Sequence, residues 1–179
     1  MRIIAGKHKG RILSSFKGDA VRPTADRAKE ALFNIFKDEL AGSSFLDLFC
    51  GSGNVGIEAL SRGAVVTMCD NSKESIALTK KNLALIKEDC RVIHCDALDF
   101  LRSTGEKFDF IFIDPPYRDD VGLKALKLVA ERGLLNDRGT VIYERDEIVD
   151  EQIEGLSFVS SRKYGKGIFN IYKMMNDEL

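Results

Sequence analysis

Phe45-Leu-Asp-Leu-Phe-Cys-Gly-Ser-Gly53, continuing as Asn54-Val-Gly56, is the stretch on which the fold turns. Four of its first five residues are apolar or aromatic, the make-up of a short buried strand. Two glycines one residue apart follow, and Val55, Ile57, Ala59 and Leu60 then open a helix. A strand feeding a glycine turn that starts a helix brings bare backbone N–H groups and a positive dipole end towards a ligand. Asp47 is the exception within the strand. A carboxylate is costly to bury there unless a cation or donor meets it, so a ligand with an amino group suits the place. Gly51-Ser-Gly53-Asn-Val-Gly56 also has the G-x-G-x-x-G spacing of dinucleotide sites, with Asp70 about 20 residues on. Asp47 argues against pyrophosphate, which needs close and uncharged backbone approach.

Working outward, strands and helices alternate. Val65 to Cys69 is an apolar run ending at Asp70, and Ser72 can cap a helix through Ile86. Arg91 to Cys95 is a third strand ending at Asp96. Phe108 to Ile113 is a fourth, ending in Asp114-Pro-Pro-Tyr117. Leu123 to Ala130 has helical spacing and Thr140 to Tyr143 that of a strand. Phe158–Ser161 and Ile168–Tyr172 form a closing pair around Gly165-Lys-Gly167. Repeated strand–helix units predict a doubly wound, mostly parallel α/β sheet, here with an antiparallel C-terminal hairpin. Asp47, Asp70, Asp96 and Asp114 then fall at four strand ends, where open α/β sheets bind ligands. That succession predicts one shared cleft.

Upstream, Arg2 to Gly6 and Arg11 to Leu13 are short strands around Lys7-His-Lys-Gly10, a small basic β-hairpin. Pro23-Thr24 starts a helix, with Thr24 as N-cap and Asp26 in the first turn. Ala28, Ala31, Leu32, Ile35, Phe36 and Leu40 recur at helical spacing, so this helix packs on the body. The division expected is an arm over residues 1–22 and a domain over 23–179.

The 179 residues suit one domain with a real core, and 44% hydrophobic and 31% charged residues are ordinary for a globular chain. No apolar run approaches the roughly 18 residues of a membrane span, and the N-terminus has no signal-peptide core, so a cytoplasmic protein is expected. Cys50, Cys69, Cys90 and Cys95 form no C-x-x-C pair and only His8 and His94 accompany them, so no metal site is expected. The net charge of −1 hides an asymmetry. Residues 1–29 hold eight cations against two carboxylates, a net +6, leaving −7 for the remainder. A basic arm on an acidic body suits a polyanionic partner met at one end, through Arg2, Lys7, Lys9, Arg11, Arg22 and Arg27.

Asp114-Pro-Pro-Tyr117 carries the chemistry. Two prolines remove two backbone donors and leave carbonyls as the polar groups. Asp114 adds an acceptor and Tyr117 a flat face for stacking. Such a site wants a planar group bearing N–H donors, and the exocyclic amino group of a nucleobase fits. Acceptors holding its hydrogens favour a more tetrahedral nitrogen and stabilise the charge that develops during attack.

Phe49-Cys-Gly-Ser-Gly53 with Asp114-Pro-Pro-Tyr117 resembles the S-adenosylmethionine-dependent amino-methyltransferases. With Arg2-Ile-Ile-Ala-Gly-Lys7, Val21-Arg-Pro-Thr24, Asp26-Arg27, Glu30-Ala-Leu-Phe-Asn34 and Glu58-Ala-Leu-Ser-Arg-Gly-Ala64, the chain resembles the bacterial 16S rRNA guanine-N2 methyltransferases of the RsmD type along nearly its whole length. The resemblance implies a Rossmann-like methyltransferase that yields S-adenosylhomocysteine and acts on a guanine of 16S ribosomal RNA in a small-subunit particle, as a monomer. It implies the methionine part of the cofactor at Asp47, Gly51 and Gly53, with Thr24 near its carboxylate. Asp70 would take the ribose hydroxyls, Asp96 and Ala97 the adenine edge, and Asp114, Pro115 and Tyr117 the target base. The family more often has Ala at 50, Ala-Leu at 54–55 and Glu at 70, so the shorter Asp70 has less reach to the ribose.

A DNA adenine or cytosine amino-methyltransferase uses the same acceptor geometry, but usually with a target-recognition segment for which this chain has little room. A protein glutamine methyltransferase more often begins the Pro-Pro-Tyr loop with Asn and needs no basic arm. A non-catalytic RNA-binding module with a remnant cofactor fold would not need Asp47, the glycine pair and Asp114-Pro-Pro-Tyr117 intact.

Overall fold

The computed structural model describes residues 1–18, 23–116, 120–149 and 151–175. Its strands are β1 (Ser44–Asp47), β2 (Val65–Asp70), β3 (Arg91–His94), β4 (Phe108–Ile113), β5 (Leu135–Arg145), β6 (Leu156–Tyr164) and β7 (Gly167–Met174). The helices are α1 (Pro23–Phe36), α2 (Asn54–Ser61), α3 (Lys73–Leu85), α4 (Ala97–Ser103) and α5 (Val121–Glu131). The strands form one sheet in the order β3-β2-β1-β4-β5-β7-β6. Pairing is parallel from β3 to β5 and antiparallel where β7 joins β5 and β6 joins β7. This is the doubly wound α/β sheet with a C-terminal hairpin that the pattern predicts. The chain winds outward from β1 to β3, then crosses back to β4, so its direction reverses between β1 and β4. A crevice at the carboxyl ends of the strands follows from that reversal.

Both faces of the sheet are covered, which is why the central strands are apolar without alternation. Phe45, Phe110 and Phe112 face a core shared with Phe33 and Phe36 of α1, Ile57 of α2 and Leu83 of α3. Leu46, Ile111 and Ile113 face the other, with Leu101 of α4 and Leu126 and Val129 of α5. The Phe36 ring lies 4.7 Å from Phe110 and 5.7 Å from Phe45, edge-on to both. This aromatic contact holds α1 against β1 and β4.

The basic hairpin forms as a single antiparallel bridge between Arg2 and Ile12, with the Ile3 N–H donating to the Arg11 carbonyl at 2.9 Å, rather than as the two short strands expected. It packs into the body, with Ile3 and Leu13 buried in the first core. A buried ion pair fixes it. The Ile4 and Ala5 N–H groups donate to the two oxygens of Glu58 at 2.9 and 3.0 Å. Glu58 also meets Lys29 at 3.1 Å and Arg62 at 2.9 Å. Lys29 in turn donates to the Arg2 carbonyl at 2.6 Å. Burial holds the Lys29 amine below its ordinary pKa, with Glu58 pulling it back up.

Three local expectations change. Helix α1 begins at Pro23, so Thr24 lies inside its first turn rather than capping it; proline's fixed φ suits that first position. Residues 97–103, left unassigned by periodicity, form α4, because the Asp96 carboxylate accepts the Asp99 N–H at 3.0 Å and starts a helix there. Strand β5 begins at Leu135 rather than Thr140, since Leu135 pairs with Phe108 ahead of an irregular step in the β4–β5 register.

Candidate active site

The carboxyl ends of β1, β2, β4 and β5 bring together Asp47, Asp70, Asp114 and a residue that motif reading missed, Glu144. Asp47 is 1% exposed and ends β1. Its Oδ2 accepts the Gly56 N–H at 2.9 Å. Gly53, at the N-cap of α2, has φ +84° and no side chain to cap with. Asp47 therefore does the capping from the neighbouring strand, satisfying an N–H that a helix start leaves open. Gly56 permits the contact: a Cβ there would stand 2.3 Å from Met68 Sδ and 3.2 Å from Asp47 Oδ2. Burial raises the Asp47 carboxyl to about 7, the Gly56 N–H opposing and the charges of Asp114 and Asp70 adding to the rise.

The glycine turn is held from several sides. Asp70 Oδ2 accepts the Gly51 N–H at 2.9 Å, and Asp70 Oδ1 accepts the Ser72 N–H at 2.9 Å. Thr79 of α3 donates to the Gly51 carbonyl at 2.9 Å. Buried Asn82, one turn further, donates to the Ser52 and Ser14 carbonyls at 2.9 Å each and accepts the Ser14 N–H at 2.8 Å. The arm and the turn thus share one side chain. The two glycines differ in what surrounds them. Gly51 has φ +54°, and a Cβ there would meet nothing within 4 Å, so the turn leaves open space beside it. At Gly53 a Cβ would meet Ile57 Cδ1 at 3.0 Å and Thr79 Cγ2 at 3.1 Å. Both glycines hold a left-handed φ, but Gly53 is also confined by packing inside the turn, whereas Gly51 borders free space.

Asp114 follows β4 directly and is an exposed residue. Loss of solvent around the carboxyl, set close against the strand ends, raises it to about 6. Ile113 pairs with Tyr143 in the parallel register, so Asp114 and Glu144 are the next residues out on adjacent strands. Burial, then the Asp114 charge, pushes Glu144 up to about 8. Gly167 of β7 makes room for it, since a Cβ there would lie 2.8 Å from Glu144 Oε1. Gly122 of α5 likewise lets that helix close on the loop, as its Cβ would come within 2.8 Å of Pro115 Cγ and 2.5 Å of the Tyr143 ring. Glu144 ends the apolar run Val141-Ile-Tyr143, the same pattern that picked out the other strand-end carboxylates.

Of the remaining predicted residues, Asp96 is the N-cap of α4, with Ala97 buried behind it. Tyr117 and Arg22 lie outside the described residues, as does the side chain of Thr24. In the arm, Arg2 pairs with Asp26 at 3.4 Å, and Lys7 and His8 both meet Glu88. Lys9, Arg11 and Arg27 are exposed. Cys50 and Cys69 are buried, and burial drives both thiols far above their ordinary pKa, which fits small packing residues rather than reactive groups. Among the described residues, no helix is long and apolar enough to cross a membrane.

A family model described as "Conserved hypothetical protein 95" matches residues 1–173. Ribosomal RNA small subunit methyltransferase D of Haemophilus influenzae is 38% identical over 153 residues, covering 82% of this chain and 79% of its own. A hypothetical protein of Thermus thermophilus superposes with a TM-score of 0.80 at 28% identity, over 96% of this chain and 98% of that one. A T. thermophilus 16S rRNA N2 methyltransferase, solved in complex with AdoMet and guanosine, superposes with a TM-score of 0.73 over 89% of this chain and 45% of that one. Its 21% identity makes this last likeness one of fold.

Proposed function

We infer the function from descent: this chain belongs to the family described as Conserved hypothetical protein 95, together with the ribosomal RNA small subunit methyltransferases D, and is an S-adenosylmethionine-dependent rRNA methyltransferase. The finer reading is that it methylates the exocyclic N2 amino group of a guanine in 16S rRNA, as a cytoplasmic monomer acting on a small-subunit particle. Residues 1–22 serve as the RNA-contacting arm and 23–179 as the catalytic domain. The observation that carries this reading is the group of carboxyls Asp47, Asp114 and Glu144, drawn together at the carboxyl ends of β1, β4 and β5 beside an open glycine turn.

The residues fit the cofactor. Open space beside Gly51 admits a ligand close to the turn, and Asp47 is a buried carboxyl that a cationic amino group would ionise. Asp47, Gly51 and Asp70 would hold the methionine and ribose parts, with Gly53 shaping the turn. Asp96, already engaged as a helix cap, and Ala97 would border the adenine. S-adenosylmethionine supplies an electrophilic methyl carbon on a sulfonium sulfur. Asp114 and the loop carbonyls accept the hydrogens of the target amino group, aim its lone pair and stabilise the positive charge that forms on nitrogen. The proton then released passes to the Asp114 carboxylate, whose raised pKa makes it a better acceptor than an ordinary aspartate. Tyr117 stacks on the base. Guanine suits the ionised Asp114 carboxylate, which only accepts, because its ring N1–H lies beside its amino group, whereas adenine and cytosine present a bare ring nitrogen there.

The test is to incubate the protein with labelled S-adenosylmethionine and, separately, small ribosomal subunits, naked 16S rRNA and DNA, then identify the modified nucleoside. N2-methylguanosine from the ribosomal substrates is the expected product. Label appearing in DNA, or in another nucleoside, would overturn the finer reading.

A further inference from the structure

The acidic body has a basic pole of its own. Residues 155–175 contain Arg162, Lys163, Lys166 and Lys173 and no carboxylate, a net +4, so the −7 outside residues 1–29 becomes −11 once this segment is set aside. The segment is the β6–β7 hairpin, in which Tyr164 pairs with Gly167 across the turn. Arg162, Lys163 and Lys166 are exposed, and none of them meets a carboxylate among the described residues. Lys7 and Arg145, by contrast, are each held by a glutamate.

The sheet register places this turn. Phe169 of β7 pairs with Glu144 of β5 on one side and with Arg162 of β6 on the other. Cross-strand partners share a face, so Glu144, Phe169 and Arg162 lie in a row running from the acceptor carboxyls to the sheet edge. Gly167, at the turn, abuts Glu144 Oε1. Tyr164 is half-buried, its ring centroid 5.6 Å from that of Phe169. The N-terminal arm docks on α2, on α3 and on the turn that follows α3, through Glu58, Asn82 and Glu88 respectively, towards the opposite edge of the sheet.

Electrostatics gives the arrangement a use. Asp114, ionised above about pH 6, repels the phosphates that accompany any base brought to it, so cations must neutralise those phosphates close by. Arg162 on the face of the Tyr164 ring, Lys166 in the turn and Lys163 on the reverse face of the same narrow hairpin end give it the make-up of a nucleic-acid surface. We propose that the β6–β7 turn, through Arg162, Lys163 and Lys166, is a second RNA-backbone contact beside the acceptor site, on the opposite side of that site from the arm. This rests on the rRNA reading above. The substrate is therefore gripped on both flanks of the target nucleotide.

The experiment is a filter-binding salt series on in vitro-transcribed 16S rRNA. It compares wild type with the triple variant Arg162→Gln/Lys163→Gln/Lys166→Gln, and with Lys107→Gln/Arg138→Gln as a control at the amino end of the sheet. S-adenosylmethionine titration checks the fold of each. Each lost phosphate contact should lower the slope of log affinity against log salt by about 0.7 to 0.9, so the triple variant should lose about 2 to 3 in slope. Its cofactor affinity should match wild type, and the control should keep the wild-type slope. An unchanged slope in the triple variant, or an equal loss per cation in the control, would overturn the surface while leaving the rRNA reading intact. Salt-independent RNA binding by wild type would overturn both.

Discussion

Glu58→Ala tests the joint between arm and catalytic body. The Glu58 side chain is fully buried and takes four donors: the Ile4 and Ala5 N–H groups, Lys29 and Arg62. Removing one partner of a buried ion pair costs roughly 3–5 kcal/mol. Each orphaned backbone N–H adds about 1–3 kcal/mol if it stays buried. The sum is not reached, because Lys29 already has a lowered pKa and can shed its proton, and because the arm can lift away. Lifting exposes Ile3 and Leu13, each worth about 1.5–3 kcal/mol of burial. These limits converge on a loss of about 4 kcal/mol, a fall in Tm on the order of 8–16 °C for a chain of this length. Urea unfolding followed by circular dichroism measures it, and hydrogen exchange at the Ile4 and Ala5 amides reports whether the arm has come loose. Glu58→Gln, which keeps one acceptor, should lose about half as much. Lys29→Met/Glu58→Met should stay well below wild type, because the two N–H groups remain without a partner. A Glu58→Ala protein within about 1 kcal/mol of wild type, or a double variant restored to wild-type stability, would refute the capture of the arm's backbone by this carboxylate.

Asp114→Asn should lower turnover by about 100-fold or more, the scale of losing one preorganised polar group, while calorimetric titration finds cofactor affinity nearly unchanged. In wild type, kcat should rise with pH through about 6 as Asp114 ionises, and the acid limb should vanish in Asp114→Asn. For stability the sign is reversed. Folding raises Asp47 to about 7 and Glu144 to about 8, so the folded chain keeps protons that the unfolded chain has released. Their stabilisation is full below about pH 4 and is lost as pH rises through about 7 to 8. Glu144→Gln should therefore lose less stability than wild type between about pH 5 and 9 in urea titrations; parallel curves would refute the shift. Gly51→Ala and Gly53→Ala should separate ligand space from packing. Both strain a left-handed φ by about 1 kcal/mol, but Gly53→Ala also presses on Ile57 and Thr79 and should be the less stable in thermal melts, whereas Gly51→Ala should show the larger loss of cofactor affinity for its stability.

Local pattern was enough for most of the fold. Strand and helix periodicity, glycine at the turn and aspartate after each apolar run depend on neighbours only a few residues away. They were legible in Phe45–Gly56, Val65–Asp70 and Phe108–Tyr117 without coordinates. The same rule would have found Glu144 after Val141-Ile-Tyr143, had it been carried one strand further. Asp96 shows the limit of that rule: a carboxylate after a strand can spend an oxygen on starting the next helix, as this one does on Asp99.

Which groups meet across the molecule was decided only by the tertiary structure. Glu58 captures residues more than 50 positions upstream, and Asn82 joins Ser14 to Ser52. Asp47 caps a helix whose own N-cap glycine cannot. The β6–β7 turn, which looked like an ordinary closing hairpin, comes to lie beside Glu144 because β7 inserts between β5 and β6. The physical reason is common to all of these. Composition and spacing state what a side chain can do, but a buried hydrogen bond or ion pair exists only where strand order and register bring its partner within about 3 Å. Strand order and register are properties of the whole packed sheet, not of any segment within it.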